Sequence, residues 1–316
     1  MIISLLEPLG VSKEEIAALA RGLRDRGHEF VAYDEKTTDL QELIRRSRDS
    51  DIVMIANNPY REEAVRGAEK LKMLAVAFTG VDHVDIEACR ARGIAVSNAA
   101  GYSDQAVAEL TLGAIIALLR RLPDCDAAVR GLRSSAGLRG GEIAGRTAGI
   151  IGLGRIGLRT ARLLLAFGAR VIACSPHSRP EAEALGISYV PLEDLLAESD
   201  IVTLHAPSTP ATRGMLGREQ FARMKPGAVF INCARGALVD SAALAEALNT
   251  GHIAGAAVDV FSAEPPLPPD EPLLHAKNIL LTPHIGFDTR ESMQRRAVIV
   301  FDNLNAWLAG EPRNIV

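Results

Sequence analysis

Short apolar runs rich in Val, Ile and Leu alternate along the chain with longer segments in which charged and apolar positions recur at helical spacing. Residues 1–6, 29–33, 51–55, 73–78 and 94–97 read as strands covered on both faces, because their apolar positions run on without alternating. Charged amphipathic stretches separate them. After Asn98-Ala99-Ala100-Gly101, residues 104–122 are apolar and helix-favouring and are closed by Pro123, which predicts a long helix leading into a second unit. Further strand-like runs occupy 148–151, 170–174, the stretches starting at Asp200 and Gly227, then 254–260 and 278–281. Residues 292–308 read as an amphipathic helix returning to the first unit. The pattern predicts an α/β fold of two doubly wound, Rossmann-like domains. The second, residues 100–288, is inserted into the first, residues 1–99 with 289–316.

A length of 316 residues with 48% hydrophobic composition suits two buried cores and excludes disordered or fibrous classes. The 35 Lys+Arg against 39 Asp+Glu leave a formal net charge of −4, so no global basic field exists to attract a phosphate backbone. Nucleic acid is thereby excluded as the main partner. Cys89, Cys125, Cys174 and Cys233 show neither close pairing nor metal-type spacing, which suits a reducing compartment and predicts no metal site. The opening Met-Ile-Ile-Ser-Leu-Leu-Glu lacks the basic leader of a secretory signal and reads as a first strand. The best unbroken apolar stretch, residues 114–119, is far short of the roughly 20 that a membrane span needs. A cytoplasmic protein with no membrane partner is expected.

The candidate chemistry begins where the strand at 148–151 feeds Gly152-Leu153-Gly154-Arg155-Ile156-Gly157 and then a helix. In that context Gly152 serves the tight turn, Gly154 lets a pyrophosphate approach the backbone, and Gly157 lets helix pack closely on strand. The next strand ends at Ser175-Pro176-His177-Ser178-Arg179, where an NAD-preferring fold would carry an acid for the ribose 2′-OH. Ser175 removes the repulsion toward a 2′-phosphate, and Arg179, with protonated His177, supplies positive charge. The loop tilts the expectation toward NADP, with NAD as the alternative. Farther on, three strands end at Asn232-Cys233-Ala234-Arg235-Gly236, at Asp259-Val260-Phe261 running to Glu264-Pro265, and at Thr282-Pro283-His284-Ile285-Gly286. An Arg, a Glu and a His thus reach one sheet rim, the edge where open α/β sheets bind ligands.

These motifs, in order and spacing, make residues 79–314 resemble the D-isomer-specific 2-hydroxyacid dehydrogenase family, glyoxylate and hydroxypyruvate reductases among them. The resemblance implies a catalytic trio of Arg235, Glu264 and His284, with Asp259 near the nicotinamide. It also implies cofactor contacts at Arg155, Ile156, His205, Ala206, Cys233, Ala234 and Gly286. Reducing a 2-keto acid needs a hydride from the cofactor, a proton for the developing alkoxide and a cation for the carboxylate. A histidine titrating near neutrality, an acid that orients it and a guanidinium supply the last two. Phe78-Thr79-Gly80-Val81-Asp82-His83-Val84-Asp85 resembles the family's substrate loop, where backbone amides around Thr79, Gly80 and Val81 would hold a carboxylate. The alternative there is an ordinary strand-to-helix turn with Asp82 or Asp85 near the helix start. Asn98 and Ser103-Asp104 stand where the family hinges its domains, and residues 105–133 resemble its dimerisation arm, which implies a homodimer. Packing within the chain is the alternative for that helix.

Departures from particular members narrow the expectation. Phosphoglycerate dehydrogenases carry Arg near positions filled here by Val76 and by apolar residues around Ile55-Ala56, so a small unphosphorylated 2-keto acid is expected. With Val316 as its last residue, the chain is expected to be a short form without the regulatory domain of their long forms. Formate dehydrogenases of this fold place Gln where Glu264 stands. The alternatives are a phosphoglycerate dehydrogenase-type activity and a dinucleotide-sensing protein like the superfamily's transcriptional corepressors.

Overall fold

In a computed structural model, which describes every residue except Glu264, the first unit contains β1 (Ile2–Leu5), β2 (Glu29–Ala32), β3 (Ile52–Ile55), β4 (Met73–Val76) and β5 (Ala95–Asn98). They form a wholly parallel sheet in the order β2-β1-β3-β4-β5, with Ile3 in register with Phe30 on one side and Ile52 on the other. Every residue of β3 and β4 is buried, as their unbroken apolar runs require. Ile3, Leu5, Met54 and Met73 share one core with Val300, Phe301 and Leu304 from the helix Arg290–Leu308. Thr289 caps that helix by accepting from the Ser292 amide at 3.1 Å.

The second unit contains β6 (Thr147–Ile151), β7 (Arg170–Cys174), β8 (Ser188–Tyr189), β9 (Ile201–Leu204), β10 (Val229–Asn232), β11 (Gly255–Val258) and β12 (Ile279–Leu281). All pairs are parallel, in the order β8-β7-β6-β9-β10-β11-β12. The order in which successive strands are added reverses beside β6, and the crevice at such a switch point lies at the carboxyl ends of the strands. Two residues are too few to carry an apolar period, so β8 is absent from the sequence reading.

The chain divides into Met1–Ser103 with Asp288–Val316, and Asp104–Phe287. The first junction falls after residue 103 and not after 99, because Asp104 already opens the helix Asp104–Leu119, which packs on Arg155–Ala166 of the second unit. That helix stops at Leu119, short of Pro123. Arg121 takes a left-handed φ of 52°, and a separate helix, Leu122–Arg130, starts with Pro123 in its first turn. There the missing N–H has no partner to lose, so this proline opens a helix where it was expected to close one. The cysteines are free thiols, and no helix among the described residues is long and apolar enough to cross a membrane.

Candidate active site

The turn after β6 is built from its glycines. Gly152 sits at φ +92°, and a Cβ there would lie 2.6 Å from the Ala206 amide nitrogen and 2.7 Å from the His205 carbonyl carbon. Both the backbone conformation and the close approach demand glycine. At Gly157 a Cβ would meet the Gly152 oxygen at 2.2 Å, so the helix Arg155–Ala166 seats directly on the turn. Gly154 caps this helix without a side chain and faces open space, with nothing within 4 Å of where its Cβ would be. An uncapped helix N-terminus beside an open glycine fits a pyrophosphate, because the first helical N–H groups lack intrahelical acceptors. Arg155 turns aside to pair with Asp104, Nε to Oδ2 at 2.7 Å, while Ile156 is half-buried.

Beyond β7, Ser175 and Arg179 are half-buried and His177 is exposed. The Arg179 amide donates to Tyr189 Oη at 2.9 Å, so β8 anchors the loop that carries these side chains. Beyond β9, the His205 amide donates to the Ile151 carbonyl at 2.7 Å, and its Nε2 lies 3.0 Å from Thr203 Oγ1. Burial lowers the His205 pKa to about 4, so this ring is neutral at physiological pH. Burial likewise pushes the Cys233 thiol up to about 12, which leaves it unreactive near neutrality.

Because β10, β11 and β12 are neighbours, the turns that follow them share one rim. Asn232 is buried at the end of β10; its Oδ1 accepts from the Ala234 amide and its Nδ2 donates to the Arg235 carbonyl, both at 3.0 Å. Half-buried Arg235 donates from Nη1 to the Ala234 carbonyl at 2.7 Å. Asp259, also buried, accepts from Thr282 Oγ1 at 2.5 Å, the Ile285 amide at 2.9 Å and the Gly286 amide at 2.8 Å. His284 lies within that clasped segment at φ +56°, a conformation side chains rarely adopt, and its ring meets Phe287 edge-on at 5.3 Å. Glu264 lies outside the described residues.

In the first unit, Thr79, Gly80 and Val81 lie in the irregular segment that follows β4 and leads into a turn at Asp82-His83. Asn98 Nδ2 donates to the Thr79 carbonyl at 2.9 Å, and the Val81 carbonyl accepts from Val84 at 2.9 Å. Asp85 caps the helix Ile86–Ala91 through the Ala88 amide at 2.9 Å, so its carboxylate serves the turn. Among the described residues no cluster of His, Cys, Asp or Glu is placed to hold a metal ion.

Residues 112–286 match the model of the family described as D-isomer specific 2-hydroxyacid dehydrogenase, NAD binding domain. The chain belongs to this family. A D-3-phosphoglycerate dehydrogenase of Methanocaldococcus jannaschii is 41% identical over 289 residues, 90% of this chain but 55% of that protein. The chain therefore spans about half the length of the phosphoglycerate dehydrogenases it matches. A glyoxylate reductase of Thermococcus litoralis is 40% identical over 294 residues, covering 90% of this chain and 88% of the relative. Among solved structures, an acyclic imino acid reductase in complex with NADPH and D-Arg superposes with a TM-score of 0.90 at 28% identity, covering 100% of both chains.

Against the family's dehydrogenase pattern, the sequence reading passed over several buried polar residues. Asn232, which shapes the Arg235 turn, was one. In the first unit Glu7 is buried after β1, where its Oε1 accepts from the Ala56 and Asn58 amides at 2.8 Å each. Burial nonetheless raises its carboxyl pKa above the ordinary value. Arg296, buried on the returning helix, donates to the Leu9 carbonyl at 2.7 Å and stands 5.9 Å from the rings of both Phe78 and Tyr102.

Proposed function

We propose that this family member is an NAD(P)-dependent D-2-hydroxyacid dehydrogenase that reduces a small unphosphorylated 2-keto acid, such as glyoxylate or hydroxypyruvate, to its D-2-hydroxy acid. The observation that carries this reading is the rim on which the turns after β10 and β12, either side of β11, carry Arg235 and His284, in the same unit as the glycine turn of Gly152, Gly154 and Gly157. Gly154 and the N-terminus of Arg155–Ala166 would hold the pyrophosphate. Bound NAD(P)H supplies the hydride. Arg235 pairs with the substrate carboxylate and polarises the keto oxygen, fixing which face of the carbonyl is presented. His284 gives the proton that the developing alkoxide needs and takes it back in the reverse direction. Glu264 favours the protonated imidazole by its charge. The segment of Thr79, Gly80 and Val81 offers further backbone amides suited to an anion.

Apolar residues at Val76 and around Ile55-Ala56 support an unphosphorylated substrate, since a phosphate there would lack a cationic partner. Ser175, with His177 and Arg179, supports NADP over NAD. A homodimer is supported by the exposed Leu122, Val129 and Leu132, the last 96% exposed. So is a groove of about 730 Å³ at the amino ends of β10 to β12, lined in part by Leu118, Ile253 and Ile279. The seated arm of a second copy would cover both. Free cysteines support a reducing compartment, the cytoplasm.

The test follows absorbance loss from NADPH and, separately, NADH with glyoxylate, hydroxypyruvate, pyruvate, phenylpyruvate, 2-ketoglutarate and 3-phosphohydroxypyruvate. Faster turnover with NADPH and one short unphosphorylated acid is the expected result. His284→Ala should abolish that turnover while dinucleotide binding persists. Tight dinucleotide binding without turnover of any keto acid would overturn the reading in favour of a dinucleotide-sensing protein.

A further inference from the structure

The last residue of β10 and the first residue past β11 are each a fully buried polar side chain whose hydrogen bonds go to the turn carrying a reacting group. Asn232, 1% exposed, grips the Arg235 turn at two points, the Ala234 amide and the Arg235 carbonyl. Asp259, 2% exposed, closes the next turn but one around three donors, from Thr282, Ile285 and Gly286, which flank His284 on both sides. The two residues are joined through the backbone, since the Asp259 amide donates to the Asn232 carbonyl at 2.9 Å. No side chain could stand between their turns. A Cβ at Gly236 would lie 2.0 Å from the Phe261 carbonyl carbon, and one at Gly286 would lie 2.9 Å from Asp259 Oδ2.

We infer that Asn232 and Asp259 form one positioning frame, Asn232 acting through Arg235 and Asp259 through His284. Three features of the geometry support this over a bland structural role. First, each side chain has both its polar atoms engaged, and among the described residues each bonds to the turn that bears a reacting residue. Second, His284 holds a left-handed φ of 56° without being glycine, a strained conformation that persists only where its surroundings over-determine it. The three bonds to Asp259 supply that determination. Third, three donors converge on one buried carboxyl group, so the Asp259 clasp is stiffer than a single hydrogen bond would make it. In reaction terms, Arg235 and His284 must meet the carboxylate and the keto oxygen of one small molecule. A displacement of about 1 Å in either is worth about 100-fold in rate.

The inference rests on the proposed reaction, so its test has one arm that needs turnover and one that does not. In the first arm, Asn232→Ala lowers kcat/KM for the keto acid about 100-fold, mainly by raising KM, as loss of aim at a carboxylate should. Asn232→Ser keeps an acceptor for the Ala234 amide, loses the donor to Arg235, and falls about tenfold; it also serves should the alanine variant not fold. In an Arg235→Lys background, Asn232→Ala costs no more than about threefold further, because the group it aims is already compromised. Losses that multiply instead would overturn the frame. In the second arm, hydrogen exchange is followed by mass spectrometry in the protein without substrate. Asp259→Asn, which turns a donor toward the Gly286 N–H, speeds exchange across residues 282–286 by tenfold or more on the scale of one lost strong bond, about 1.4 kcal/mol. Unchanged protection there would overturn the frame as well. Absence of turnover in the unsubstituted protein overturns the functional reading alone, and exchange then decides the frame by itself.

Discussion

At the carboxyl ends of β10 and β11 of the second unit, Asn232 and Asp259 are buried with both polar atoms of each side chain engaged. Beyond β3 and β4 of the first unit, Asn58 is just as buried, yet neither its Oδ1 nor its Nδ2 has a partner among the described residues, and Thr79 Oγ1 and His83 Nε2 are in the same position. In the second unit the corresponding orphan is Thr160 Oγ1, on a helix and away from any strand end. Both are carboxyl-end edges of parallel sheets, the edge where open α/β sheets generally bind ligands, and both bury polar groups. Saturated hydrogen bonding fixes a group in one place; a buried amide without a partner pays its desolvation and fixes nothing. The second unit's rim is therefore the preorganised one, which is where electrostatic positioning of a reaction requires rigidity.

The largest effect separating the edges is expected at Asp259. Asp259→Ala leaves the Thr282 hydroxyl and the Ile285 and Gly286 amides without their acceptor. A buried donor left unsatisfied costs about 1–3 kcal/mol, and the three losses share one relaxing loop, so about 4 kcal/mol of stability should disappear. Denaturant unfolding followed at the transition of the second unit measures it. A loss under about 1 kcal/mol would mean the clasp is ornamental and the contrast between edges false.

How far the chain disclosed this in advance depended on the range of the interactions concerned. Gly152, Gly154 and Gly157 were legible because their demands are local: a positive φ, an open approach and a close packing, all within one strand-to-helix turn. The strands were legible from apolar runs, while two-residue β8 carried no pattern to read. Pro123 misled because proline ends one helix and begins another with equal propriety. Glu7 was illegible: a charge just past a strand reads as surface, and its burial depends on amides 49 and 51 residues away. Asn232 looked like any turn residue until β11 brought Asp259 beside it. The carboxylate at Glu264, named from the motif, lies outside the described residues.

A smaller effect compares one histidine from each unit. Burial lowers both His83 and His205 from the ordinary 6.5 to about 4. A depressed folded pKa means that the unfolded chain binds more protons between those values. The stabilisation is complete above pH 6.5 and is lost progressively as pH falls toward 4. Stability should fall over that window by on the order of 3 kcal/mol per histidine at most, and the melting temperature should fall with it. His83→Gln and His205→Gln should each remove part of the slope. The His205 variant carries the additional loss of the Thr203 contact at every pH, whereas the orphaned His83 Nε2 has no side-chain partner to lose. A flat profile in the unsubstituted protein would show that neither ring is kept neutral by burial.

The smallest effect has the opposite sign. Asn58→Leu replaces an amide that is 0% exposed and unpartnered by an apolar group of the same branching, while the Asn58 backbone amide keeps its bond to Glu7. Removing an unsatisfied buried polar group returns its desolvation penalty, so the first unit should gain about 1 kcal/mol in denaturant unfolding. The equivalent change at the other edge, Asn232→Leu, should lose stability, because there it strips acceptor from Ala234 and donor from Arg235. Opposite signs at two buried asparagines, each at the carboxyl edge of a parallel sheet, are what the contrast requires. A loss at both would mean that water satisfies the Asn58 amide in solution, and that the two edges differ in what solvates them and not in how they are organised.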